Sequence, residues 1–326
     1  MKTSYVDTLN ILLMVLSAIL AFFFPFGIFL FSYAILGPLH YLTEISWLHQ
    51  KNYFTRLKLD YIFLLACGIM LFIFYLSKGA NLLNFSANIM FIAFFGSIIL
   101  ATTKSIKIRV VAFAIIAATA FLIKNSSALF AIFAILLPTV IHVFFFTTCF
   151  ILHGALKNRS LMGLASIIIF FLCIATLVFV TTGGNNFTVG SFVRQTYQSF
   201  ESVNLKIMDL INIRNQDIQQ AIYNSAEGLS VMRFIAFVYL YHYLNWFSKT
   251  KVIRWHLMPR QKLVFILLLW LLAITLYLYN YSFGLVALYF LSLLHVLLEF
   301  PLNQVTFIGI FKETKNVLLQ FKSYNS

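Results

Sequence analysis

The sequence predicts an all-α protein, a polytopic bundle of about ten transmembrane helices. Three observations predict it. Of the 326 residues, 62% are hydrophobic and only 10% are charged, against roughly 45–50% and about 25% in soluble domains. The apolar residues run without interruption over stretches near the ~20 that a bilayer crossing needs, and without the alternation of a membrane β-barrel. The lysines and arginines behind the net charge of +14 lie in short loops between those runs. There they act as topology signals and lipid-headgroup contacts, which excludes a nucleic-acid-binding role.

The N-terminal MKTSYVDTLN leads directly into an apolar run with no small-residue cleavage site, so it reads as a retained first span and not as a signal peptide. The first two spans, 7–24 and 27–49, are divided by Phe24-Pro25-Phe26-Gly27, a Pro/Gly breaker. One kinked span here would give nine crossings in all, but Ile11 to Trp47 is far too long for a single crossing. Five more spans follow at 60–77, 83–102, 108–123, 128–154 and 160–180, and three at 229–248, 263–280 and 282–302. Numbering the loops alternately puts all but six of the 23 basic residues on one side, the exceptions being Lys78, Lys124, Arg194, Lys206, Arg214 and Arg233. The excess of positive charge then places the N- and C-termini in the cytoplasm. The expected organisation is a single membrane domain over 1–326, in a multi-pass protein of a bacterial-type inner membrane.

One long loop, 181–228, interrupts the pattern on the non-cytoplasmic side. It carries Glu201, Asp209, Asp217 and Glu227, and apolar residues recur at helical spacing over Phe192–Ile213. This predicts an amphipathic helix at the membrane surface. Cys67, Cys149 and Cys173 lie inside apolar runs without paired spacing, so they read as packing residues and indicate neither disulfides nor a cysteine metal site.

Ionisable groups inside a bilayer are costly and mark function by default. Only Glu44 and Glu299 among the acids lie well within spans, and each follows a histidine by four positions, in His40-Tyr-Leu-Thr-Glu44 and His295-Val-Leu-Leu-Glu299. Residues i and i+4 share a helix face one turn apart. Span eight adds His242 within Tyr241-His242-Tyr243-Leu244-Asn245, and span six adds His142 and His153. Those two share a face about 16 Å apart along the helix axis, so one ion cannot take both, and the sequence leaves open which joins. Pro38, Pro138 and Pro301 stand close to these residues, and proline inside a membrane helix frees a carbonyl and kinks the axis.

Imidazole and carboxylate together suit iron, zinc or manganese, and a cation would balance two buried carboxylates that have no deep lysine or arginine. The candidate metal ligands are therefore His40, Glu44, His142, His153, His242, His295 and Glu299, with Tyr41, Tyr241 and Asn245 as groups that orient the imidazoles. The same residues can also form a metal-free hydrogen-bonded or proton-relay network. His49 and His256 read as surface histidines, and Trp47, Trp246 and Trp255 as an aromatic belt.

In size, hydrophobicity and intramembrane histidines, here His40, His142, His242 and His295, the chain resembles the Brp/Blh-type β-carotene-cleaving dioxygenases, histidine-rich non-haem iron oxygenases of membranes. Glu44 and Glu299 set it apart from an all-histidine site, and HxxxE stands where membrane desaturases and hydroxylases carry HxxxH and HxxHH boxes. The resemblance implies a polytopic helical protein with iron held by histidines from several spans. Zinc and manganese remain alternatives. The function expected is a metal-dependent oxidoreductase acting on a lipid or isoprenoid. Its partners would be membrane lipids, the hydrophobic substrate and an electron-donor protein. The alternative is a proton- or metal-coupled transporter built on the same cluster. No P-loop, GxSxG or HExxH motif is present, which sets aside ATPase, serine hydrolase and zincin chemistry.

Overall fold

The computed structural model describes residues 3–77, 82–180, 189–211, 217–249 and 258–324. Among these the only regular structure is helical. Helix α1 is Thr3–Phe23, and α2 runs over Pro25–Gln50 with a π-helical stretch at Ser32–Leu36. They are followed by α3 (Tyr61–Ser77), α4 (Leu82–Thr102), α5 (Ile106–Ile123), α6 (Ser127–Asn158, π-helical over Phe130–Phe146) and α7 (Leu161–Phe179). The long loop holds three short helices, α8 (Ser191–Tyr197), α9 (Glu201–Leu210) and α10 (Ile218–Tyr223). The chain ends with α11 (Ala226–Ser248), α12 (Arg260–Tyr279) and α13 (Tyr281–Tyr324).

Eight of these helices, α1, α2, α4–α7, α12 and α13, are long and apolar enough to cross a membrane. The other two expected spans exist as helices, α3 being short with 17 residues and α11 less apolar over its 23. Outward-facing side chains confirm the solvent. Leu122, Leu161 and Leu278 are each more than 80% exposed, and only 11% of α5 and 17% of α12 is buried. Apolar exposure on that scale belongs in lipid, and the chain is an integral, multi-pass membrane protein. The break between the first two spans falls at Phe24, which leaves helical geometry (φ −131°, ψ 50°), and Pro25 opens α2 at the position where its missing N–H costs nothing.

The chain divides into two compact units, 1–42 with 160–288, and 43–159 with 289–326. Two of the three boundaries fall inside a helix, α2 and α13, and the third lies in the turn between α6 and α7.

In the first unit α11 is the central element, packed by α1, α7 and the first half of α2. Most of its residues from Gly228 to Tyr243 are buried. Ser225 caps it by accepting from the Gly228 N–H at 2.9 Å. Arg233 lies buried on α11, and its guanidinium donates to the carbonyls of Phe22 (3.1 Å) and Val180 (3.2 Å). These are carbonyls that the ends of α1 and α7 leave unsatisfied. The expected amphipathic helix is present in pieces, broken by a 3-10 turn at Gln198–Phe200. Part of its apolar face is covered by protein: Tyr197, Phe200, Val203 and Met208 are buried, with Tyr197 and Phe200 ring-packed on Phe26 and Phe29, while Phe192, Leu210 and Ile211 stay exposed. Tyr223 donates to Glu201 at 2.8 Å, and burial with that carboxylate pushes its phenol pKa up. Residues 181–188 and 212–216 of the loop lie outside the described residues.

In the second unit α4 packs on α3, α5 and α6. A buried ion pair ties the start of α5 to the start of α3: Arg109 Nη2 donates to Asp60 Oδ2 at 3.0 Å, and Arg109 Nε donates to the Thr103 carbonyl at 3.0 Å. The turn after α2 has three successive left-handed residues, Asn52, Tyr53 and Phe54 (φ 50–57°), a conformation that non-glycine residues seldom hold. It is held by Thr55 donating to the Asn52 carbonyl at 2.9 Å, by His49 Nδ1 3.1 Å from the Tyr53 hydroxyl, and by Tyr53 stacked on Tyr61. His49, exposed as expected, thus serves this turn. His256 and Trp255 lie outside the described residues.

Candidate metal centre

Two of the helices that carry the key histidines, α2 and α6, are widened near a proline. Pro38 has no N–H to offer the carbonyl four residues earlier, and α2 is π-helical over Ser32–Leu36 just before it. Two carbonyls of α2 near this stretch accept side-chain donors in the first unit. Trp270 Nε1 donates to Ile35 O at 2.7 Å, and the Tyr281 hydroxyl donates to Leu30 O at 3.2 Å. Pro138 lies within the π-helical part of α6, which also holds His142. Such widened turns recur at functional sites.

In the first unit, His40 on α2 and His242 on α11 meet through their Nε2 atoms, 3.0 Å apart, and both are buried. Tyr243 packs on both rings, 5.2 Å from His40 and 5.5 Å from His242 by centroid, and Trp246 lies edge-on to His40 at 5.4 Å. Trp246 therefore faces inward, and Trp47, buried against Phe54, does too, which corrects their reading as belt residues. Of the residues expected to orient imidazoles, Tyr41 is buried, Tyr241 stacks its ring on Phe237 and packs on Phe170, and Asn245 is buried one turn beyond Tyr241.

In the second unit, His142 on α6 and His295 on α13 meet through Nε2 atoms at 3.2 Å. Glu299, one turn after His295, places Oε2 2.9 Å from the other ring nitrogen of His142, Nδ1. Glu44 and His295 offer ligand atoms within 4.8 Å of each other. Glu44, His142, His295 and Glu299 are all at most 6% exposed. His40 stands one turn before Glu44 on α2, so the helix carries both on one face.

His142 is thus the α6 histidine that joins His295. His153 sits three turns away, partly exposed, with its ring against Gly309. Sequence spacing identified His40–Glu44 and His295–Glu299 as pairs. It could not pair His142 with Glu299 or His40 with His242, which are far apart in the chain. It also missed Tyr243, Trp246 and Asn303. Asn303 lies one turn beyond Glu299 on α13, 1% exposed, with neither side-chain polar atom partnered among the described residues. Its spacing of four from Glu299 and eight from His295 was the available signal.

The donor set fits a metal ion. With a metal–nitrogen bond of about 2.0–2.1 Å, two ligand nitrogens lie about 2.9 Å apart at a right angle and about 3.4 Å apart at the tetrahedral angle. The two imidazole pairs, at 3.0 and 3.2 Å, fall in that range. A hydrogen bond between neutral imidazoles has the same length, so the distance alone admits both. The carboxylates favour a cation: two acidic side chains sit buried among histidines, and a buried charge needs an opposite one. The chain therefore holds a buried His/Glu cluster able to bind a metal ion. No family model, curated protein or solved structure matched the chain.

Proposed function

We propose that the protein is a membrane metalloenzyme, an iron-dependent oxidoreductase acting on a lipid or isoprenoid. The observation that carries the reading is the arrangement in the second unit. His142 and His295 turn their Nε2 atoms to one point, Glu299 lies against the far nitrogen of His142, and the Glu44 carboxylate is beside His295. Two imidazoles with one carboxylate and open positions are the ligand set of non-haem iron(II) oxygenases. A carboxylate on the remote nitrogen of a ligating histidine fixes its orientation and raises its basicity. Glu44 would be the oxygen ligand, and Glu299 the group that orients His142. The His40–His242 pair of the first unit would be a separate pair of imidazoles able to take an ion.

Bound iron would supply redox chemistry toward O2. The chain supplies an aromatic surrounding, with Phe146 edge-on to His142 and Tyr243 and Trp246 on His40. Such walls accept a hydrophobic substrate from the bilayer. Both termini would face the cytoplasm, the side from which an electron-donor protein would reach the site.

Elemental analysis of the detergent-purified chain, with a visible spectrum, tests this. One or two iron atoms per chain, lost in His142→Ala and His295→Ala, are expected. A chain without stoichiometric metal after iron-supplemented, anaerobic preparation would sink the reading and leave the coupled transporter, for which the proline-widened helices α2 and α6 speak.

A further inference from the structure

Helices α6 and α13 run side by side in the same direction through the second unit. His142 meets His295 and Glu299, and His153, eleven residues later, meets Gly309, ten residues after Glu299. The two intervals, about 16 and 15 Å at 1.5 Å per residue, match. Between these contacts α13 turns Asn303 and Thr306 to the same third of its circumference as Glu299, and both are buried, at 1% and 2% exposure. At Gly309 the backbone comes so close to His153 that an added Cβ would stand 2.5 Å from Nε2. Beyond it lie charged groups, Lys157 on α6 and Arg159 3.9 Å from Glu313 on α13.

Asn303 is what a packing account leaves over. Its carboxamide brings two donors and an acceptor into the protein interior, and none has a partner among the described residues. A buried amide left so costs about 1–3 kcal/mol. Its neighbour Gln304 is satisfied, donating to the Phe94 carbonyl at 3.2 Å. Native interiors satisfy such groups, with water where protein offers nothing. A face that joins a buried ionisable cluster to charged helix ends, with an unpaired amide midway and a hydroxyl next, has the make-up of a hydrated passage.

We propose that the α13 face from Gly309 through Thr306 and Asn303 to Glu299 is a water-filled route by which water and small hydrophilic ions reach the buried cluster from the His153 end. The proposal rests on that cluster being the working centre. It assigns Asn303 the role of holding water in the route, and His153 and Gly309 the mouth. Lipophilic substrate would enter from the bilayer and hydrophilic reactants by this separate path.

Cysteine reactivity in the full chain tests it. Asn303→Cys, Thr306→Cys and Leu298→Cys are each treated in membranes with methanethiosulfonate ethylammonium, and the adducts are located by peptide mass spectrometry, the native cysteines serving as internal references. Leu298 is buried one residue before Glu299 but turned ~100° away from it. Cysteines at 303 and 306 should react at least tenfold faster than that at 298. If neither exceeds the 298 rate there is no route. If 306 reacts and 303 does not, the water stops short of the cluster and the proposal also fails. Metal content of the same preparations is an independent readout: a metal-free chain with fast labelling overturns the proposed function, and a metal-loaded chain with slow labelling overturns the route.

Discussion

Asp60 and Arg109 show what one pair of residues contributes that spacing could not foretell. In the sequence one is an acid at a span end and the other a topology signal in a basic loop. They are 49 positions apart, and only the folded chain brings them into a buried pair. Breaking such a pair from one side leaves an unbalanced charge and typically costs about 3–5 kcal/mol. Asp60→Ala should therefore lower the thermal midpoint in detergent sharply, and the double variant Asp60→Ala/Arg109→Ala should be the more stable of the two. Equal loss in both would mean that the charge is not the cause. The same logic governs the cluster. His40 with Glu44, and His295 with Glu299, were legible because i and i+4 lie on one helix face. Which imidazole Glu299 serves was not, since His142 is on another helix. If Glu299 orients His142, Glu299→Gln should weaken metal binding about 10–100-fold while leaving the melting behaviour of the metal-free protein close to wild type. Competition with a chelator of known affinity measures this, and unchanged affinity would remove Glu299 from the site.

At the scale of elements, the helices were legible because continuous apolar runs leave few alternatives, and Pro25 announced the break before α2. The π-helical stretches were not. Proline predicts a freed carbonyl, but whether the helix kinks or widens depends on donors elsewhere, such as the Trp270 indole over Ile35. The loop helices were half legible. Their periodicity was legible, but which apolar residues pack on protein, as Tyr197 and Phe200 do, and which stay exposed, as Phe192 and Ile211 do, was not, because amphipathic spacing does not distinguish lipid from a neighbouring protein face. Two glycines sort close approaches by what stands opposite. A Cβ on Gly228 would meet the backbone oxygen of Ile222 at 2.6 Å, and backbone in a packed helix pair cannot step aside. Gly228→Ala should destabilise by about 1–3 kcal/mol, as overpacking does. At Gly309 the obstacle is the partly exposed His153 ring, which can swing out, and alanine is the better helix former by about 1 kcal/mol. Gly309→Ala should thus keep or slightly raise the melting temperature. A larger loss at Gly309 than at Gly228 would contradict this account of both contacts.

For the whole molecule, composition and run length fix an integral, all-helical membrane protein. The division into two units, with boundaries inside α2 and α13, has no composition shift to mark it. Orientation follows from parity, and parity turns on the two least obvious crossings. Helix α3, with 17 residues, is about 26 Å long and α11, with 23, about 35 Å, against a hydrocarbon core of about 30 Å. The positive-inside rule predicts that both cross, since omitting either would exchange the sides of every later loop and scatter lysine and arginine over both faces. Single cysteines flanking each helix decide it, at Lys58 and Ser77 for α3 and at Glu227 and Lys249 for α11, with a membrane-impermeant maleimide applied to sealed vesicles of known orientation. Each pair should label from opposite sides, with Lys58 and Lys249 on the cytoplasmic face. If one pair labels from a single side, that helix does not cross and the termini lie on opposite faces.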